Sequence, residues 1–86
     1  MDKELFIELM DKCDFGFDSS RGTYRGLTLM GKYIPTVDVD AAEHDKIYAS
    51  CEVDQLLEAG ITEEDTIILS GLGWMTDDSD YIAKHV

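Results

Sequence analysis

Two rhythms of apolar residues run along this chain. Phe6, Leu9, Met10 and Cys13 recur at i, i+3, i+4 and i+7 with Leu5 beside them, which predicts an amphipathic helix over residues 2–12. Asp2 and Glu4 suit the positive start of that helix and Lys12 its negative end. Asp14–Phe17 reads as a short strand or as the exit from the helix, and Ser19–Gly22 as a turn. The second rhythm has period two. Tyr33, Pro35, Val37 and Val39 alternate with Ile34, Thr36, Asp38 and Asp40, so residues 23–40 are expected to form a β-hairpin. A two-residue turn at Gly31-Lys32 would demand the N–H that Pro35 lacks, so a four-residue loop from Met30 to Tyr33 is preferred. In that register Tyr24, Val37 and Val39 face the core. Leu27, Leu29 and Ile34 lie outside, with an Arg25–Asp38 pair further along.

Ala41–Asp45 reads as a loop or a single helical turn, and Lys46–Cys51 as a strand. Glu52–Ala59 is expected to be a short helix with Val53, Leu56 and Leu57 inward and Gly60 just past its end. Residues 61–72 carry two signals. Thr66–Leu69 has strand propensity, but Thr62 followed by three acids opens like a helix, and the helix is taken, with Ile61, Ile68, Leu69 and Leu72 on one face. Gly73–Thr76 and Tyr81–Val86 form a closing hairpin across Asp77–Asp80, with Trp74 as the main core anchor. The expected fold is a single α+β domain over residues 1–86. It has an N-terminal helix, an antiparallel sheet of four or five strands, and a second short helical segment on the same face.

Composition narrows the function. With 86 residues there is room for one core only. Nineteen acids against seven bases leave a formal charge of −12, which repels nucleic acid and anionic lipid. No apolar run approaches the roughly 20 residues of a membrane span, and MDKELFIELMDK is unlike a signal peptide. A cytoplasmic protein is expected, with Cys13 and Cys51 as reduced, mostly packing thiols.

Motifs for catalysis are weak. Asp14-Phe15-Gly16 matches a kinase metal motif, but nothing else of a kinase accompanies it. Asp38 and Asp40 followed by Glu43, His44 and Asp45 are the best metal candidates, yet the spacing departs from a calcium loop at Ala42. His44 or His85 could serve Cys51 or Ser50 as a nucleophile only with a cleft and an elbow that the sequence lacks. Gly71-Leu72-Gly73 is too short for a phosphate loop, and Met10 and Met75 read as core. No cofactor and no catalytic or metal residue is expected, and the chain is read as a non-enzyme.

Charge placement is the strongest feature. Residues 1–36 hold six acids and five bases; residues 37–86 hold thirteen acids and only Lys46 and Lys84. Between those lysines stand Glu52, Asp54, Glu58, Glu63, Glu64, Asp65, Asp77, Asp78 and Asp80, with no base. A solvated face is the plainest account. Self-repulsion on so small a core nevertheless points to a basic partner. At turns and helix starts these nine carboxylates could be presented in rows, as phosphates are on a duplex. The expected partner is then the Lys/Arg-lined surface of a nuclease or other nucleic-acid-binding protein, met by a fast, salt-sensitive encounter.

The run Ile61-Thr-Glu-Glu-Asp65, then Leu72-Gly-Trp74, Asp77-Asp-Ser-Asp80 and Val86, looks like the end of various small prokaryotic and phage α+β proteins. Small size, strong acidity and the lack of a catalytic motif resemble phage-encoded anti-defence inhibitors, including anti-CRISPR and DNA-mimic proteins, and bacterial immunity proteins that block nuclease toxins. The resemblance implies a non-enzymatic inhibitor, working in the host cytoplasm if phage-encoded. It carries over no fold and no functional residue. An adaptor or subunit, including a homodimer, would instead bind through an outer hairpin face of Leu27, Leu29 and Ile34. A small metal- or thiol-dependent enzyme is the third class.

Overall fold

In a computed structural model of the chain, residues 1–13, 19–43, 45–77 and 80–85 are described. Asp2 caps the first helix, its Oδ1 accepting the Leu5 N–H at 2.8 Å, and α1 runs from Lys3 to Met10 with Phe6 and Met10 fully buried. The expected helix is therefore present, somewhat shorter than its pattern. The segment expected as a short strand or helix exit, Asp14–Phe17, lies outside the described residues.

Residues 23–40 do not form a hairpin. Ser19–Gly31 is a 13-residue helix, α2, which also replaces the turn expected at Ser19–Gly22. The inward stripe of α2 is Gly22, Gly26 and Met30, at helical spacing of four, but two of its three members are glycines and carry no hydrophobic signal. They lie inward because Trp74 lies against them. The indole Nε1–H donates to the Gly22 carbonyl at 2.9 Å, and a Cβ on Gly26 would overlap the indole ring. Tyr24, expected in the core, is 74% exposed, and Val39 is exposed as well; Val37 is half-buried. Leu27, Leu29 and Ile34 pack against the core rather than forming an outer face. Arg25 and Asp38 are exposed and make no ion pair among the described residues.

The chain leaves α2 through turns at Tyr33 and Val37 and enters β1, Val39–Glu43, where a loop or helical turn was expected from Ala41. Strand β2 is Lys46–Glu52, β3 is Trp74–Thr76 and β4 is Tyr81–His85. They form one antiparallel sheet in the order β1-β2-β4-β3. Ala49 and Cys51 alternate inward along β2, with Ser50 outward. The register aligns Ile47, Lys84 and Trp74 across three strands. Lys84 is consequently only 2% exposed, and its Nζ donates to the His85 carbonyl at 3.1 Å. Strand β3, at one edge of the sheet, packs against α1, α2 and α4. The β1 edge is exposed and bulged between Val39 and Ala41, a device that discourages further strand pairing.

Two short helices link the halves of the sheet. Helix α3, Val53–Glu58, and helix α4, Glu63–Gly71, fall where the sequence places them. Val53 and Leu56 are buried, and Gly60 takes a left-handed φ of 89° that suits a residue without Cβ. Thr62 caps α4 by accepting the Asp65 N–H at 3.1 Å. The core gathers Phe6, Met10, Met30, Leu56, Leu69, Trp74 and Ile82 between helices and sheet. An α+β domain with an N-terminal helix, a four-stranded antiparallel sheet and later short helices is the result.

Candidate functional site: an acidic helix corner

The nine carboxylates singled out in the sequence are divided by what holds them. Asp54, in the first turn of α3, and Asp80, in the β3–β4 connection, share one cation. Lys3 Nζ lies 3.4 Å from Asp54 and 2.7 Å from Asp80. The Asp80 carboxylate, then Asp54, raises the Lys3 pKa above its ordinary value. Asp80 adopts a left-handed φ of 63°, and its carbonyl accepts the Val53 N–H at 2.9 Å, which ties the hairpin turn to the start of α3. Asp77 is engaged in the same turn, its Oδ1 accepting the Tyr81 N–H at 3.1 Å. Glu52 sits at the N-cap of α3, its backbone N–H donating to Gln55 Oε1 at 2.7 Å, and pairs with Tyr81 across the sheet. Asp78 lies outside the described residues.

Asp65 belongs to a different clamp. Its Oδ2 accepts from the Tyr33 hydroxyl and from Lys32 Nζ at 2.9 Å. The Tyr33 hydrogen bond first, and the Lys32 contact second, hold its carboxyl below the usual carboxylate range. Asp65 raises Lys32 in return. The clamp fixes the start of α4 to the end of α2. Neither Tyr33 nor Lys32 was singled out as a partner of the acidic region. The misread hairpin had hidden them, since it put both in a turn.

Glu58, Glu63 and Glu64 are what remains. All three are exposed, and none makes an ion pair among the described residues. Glu58 ends α3 and Glu63 begins α4, so the three flank one short connection, residues 59–62. That connection is fixed by the Ile61 N–H donating to the Leu56 carbonyl at 3.1 Å, and by the Thr62 cap. The acids therefore stand on a rigid corner. Glu63 and Glu64 also gain from the helix start beneath them.

The other sequence candidates do not assemble. Among the described residues no group of three His, Cys, Asp or Glu side chains converges on a position for a metal ion. Asp38 Oδ1 accepts the Val39 N–H at 2.8 Å, and Asp45 Oδ2 lies 3.9 Å from His85 Nδ1; His44 lies outside the described residues. Cys51 is buried with its Sγ 3.8 Å from Met30 Sδ, and burial pushes its thiol up to about 11, the reverse of an activated nucleophile. Ser50 Oγ accepts the Asp38 N–H at 2.9 Å. No described helix is long and apolar enough to cross a membrane.

Fold and surface together define a small acidic α+β domain with a charged helix corner. No known protein family, no curated protein and no solved structure matches this chain.

Proposed function

We propose that this protein is a non-enzymatic binding protein that meets and blocks a basic, nucleic-acid-binding protein in the cytoplasm they share. The observation that carries the reading is the exposed corner of Glu58, Glu63 and Glu64, which pair with no cation among the described residues of a chain of formal charge −12. The Thr62 cap and the Tyr33–Asp65–Lys32 clamp hold the corner in place before any partner arrives, so little ordering entropy is lost on binding. Opposite charge would steer the encounter and make it salt-sensitive. The adaptor reading loses its surface, because Leu27, Leu29 and Ile34 pack on the core.

The test is displacement of labelled duplex DNA from a panel of purified basic nucleases. Wild-type protein is expected to displace DNA from at least one of them, with an apparent affinity that falls as salt rises. Charge reversal by Glu58→Lys, Glu63→Lys and Glu64→Lys together should abolish the effect. Equal displacement by the reversed variant would defeat the proposal.

A further inference from the structure

Helix α4 buries Leu69, as expected, but on the same side it also buries two hydroxyl residues and leaves two isoleucines outward. It buries Thr66 completely and Ser70 to 3% exposure, while Ile67 is 56% and Ile68 45% exposed. Both buried hydroxyls find a backbone carbonyl, Thr66 Oγ1 donating within the helix to Thr62 at 2.8 Å and Ser70 Oγ across to Met10 of α1 at 3.5 Å. Ile68 was expected inward from its spacing and is instead outward. The outward positions are Glu63, Glu64, Ile67, Ile68 and Gly71, which at i, i+1, i+4, i+5 and i+8 form one continuous stripe. Gly71 adds a second oddity. A Cβ there would meet nothing within 4 Å, and the left-handed residue after the helix is Gly73, with φ 93°. The fold itself therefore has no need of glycine at position 71, although glycine weakens a helix. A small residue at that place does let another helix approach closely.

We infer that this stripe docks a cationic amphipathic helix of the partner, Ile67 and Ile68 meeting its apolar face and Glu63 and Glu64 its lysines or arginines. A helical ridge is complementary to the groove of another helix, and recognition of that kind reads anchors at i, i+3 and i+4. The charge decides the occupant. Glu63 and Glu64, which pair with no cation among the described residues, stand at the N-terminal end of the stripe just before the isoleucines, so a basic helix gains there, whereas a second copy of this chain would bring another −12 to it. The inference rests on the basic-partner reading for its charge and adds the apolar anchor.

The experiment is a titration of the isotope-labelled protein followed by amide NMR, with two probes. One is a synthetic helical peptide with leucine on one face and lysine on the other; the other is oligolysine of equal charge. The leucine–lysine peptide is expected to shift amides of residues 62–72 selectively. Its Kd should rise at least about tenfold in the Ile67→Ser/Ile68→Ser double variant, and both should weaken with salt and in Glu63→Gln/Glu64→Gln. Unchanged Trp74 emission and melting temperature would show that these surface variants remain folded. Equal binding of both probes, indifferent to the isoleucine change, would overturn the inference while leaving the acidic reading standing. Binding that needs the isoleucines but ignores salt and the glutamates would overturn the cationic partner, and the proposed function with it. Self-association removed by the isoleucine change would assign the stripe to a second copy and overturn the inference.

Discussion

Gly26 is the position where one added carbon should matter most. A Cβ built on it would stand 2.6 Å from Trp74 Cε2 and closer still to Nε1 and Cδ1, whereas ordinary contact begins near 3.4 Å. In Gly26→Ala either the indole or α2 must retreat by about 1 Å or more, a distance set by that contact. Trp74 is fully buried and is the largest side chain in the core, so the ring has nowhere to go without displacing its neighbours. Overpacking of this kind costs about 1–3 kcal/mol. The indole hydrogen bond to the Gly22 carbonyl would stretch or break, adding about 1 kcal/mol. Alanine returns about 1 kcal/mol through its higher helix propensity. The net loss is about 1–3 kcal/mol, a large part of the roughly 5–10 kcal/mol that holds such a domain. For a chain of this size that lowers the melting temperature by about 5–20 °C. Thermal melts followed by circular dichroism and by the emission of the single tryptophan would measure it. Gly71→Ala is the control of opposite sign, since its Cβ meets nothing, and should raise the melting temperature by a few degrees, up to about 1 kcal/mol. If Gly26→Ala melts at or above the wild type with unchanged emission, α2 is not seated on Trp74 and the account of the core is wrong.

Other residues make separate claims. Tyr33→Phe removes the leading contact that lowers the Asp65 pKa, and should destabilise by about 1 kcal/mol at neutral pH. Because that pKa is depressed, the contribution is complete above the ordinary carboxylate value of 3.8 and fades as pH falls through the lowered one; acid melts of the variant should therefore be flatter than wild type below that value. Cys51 shifts the other way. Its thiol is raised from 9.0 to about 11, so stability should hold below pH 9 and decline between those values by about 2 kcal/mol at most, and Cys51→Ala should remove that slope in urea titrations. Lys3→Met should quicken amide exchange at Val53 and Asp80, where one lysine joins α1, α3 and the hairpin turn; the same protection in both proteins would mean the bridge is ornamental.

The helices with ordinary signals were legible. Asp2 and Thr62 announce the caps of α1 and α4, and both side chains accept the expected N–H. Trp74 was identified as the core anchor from its size alone. Helix α2 was not legible, for a physical reason. Its buried stripe is Gly22, Gly26 and Met30, and glycine marks a turn in a single sequence just as readily as it marks a place where an indole needs room. The alternation of residues 33–40 was real but belonged to a turn and the first residues of β1. In α4 the element was right and its rotation wrong. Apolar spacing put Ile68 inward, while Thr66 and Ser70 could be buried because each hydroxyl finds a backbone carbonyl. The acidic residues were all visible, but the lysines that engage three of them come from the half of the chain that looked nearly neutral.

That last point fixes the sign of one more effect. Lys3 and Lys32 are partly exposed cations clamping acids from the other half of the chain, and exposed pairs of this kind are weak and screened by salt. Screening them should loosen the fold slightly. Screening also relieves repulsion among the remaining carboxylates, and the formal charge of −12 says these far outnumber the clamps. Repulsion is the larger contribution, so added sodium chloride should raise the melting temperature, where a fold resting on its ion pairs would melt earlier. If Glu58, Glu63 and Glu64 carry a substantial share of that repulsion, neutralising them as glutamines should raise the melting temperature at low salt and reduce the further gain from salt. The comparison requires only thermal melts of two proteins across a salt series. A melting temperature that falls with salt in the wild type would mean the acids are already compensated, and it would remove the electrostatic reason for a basic partner.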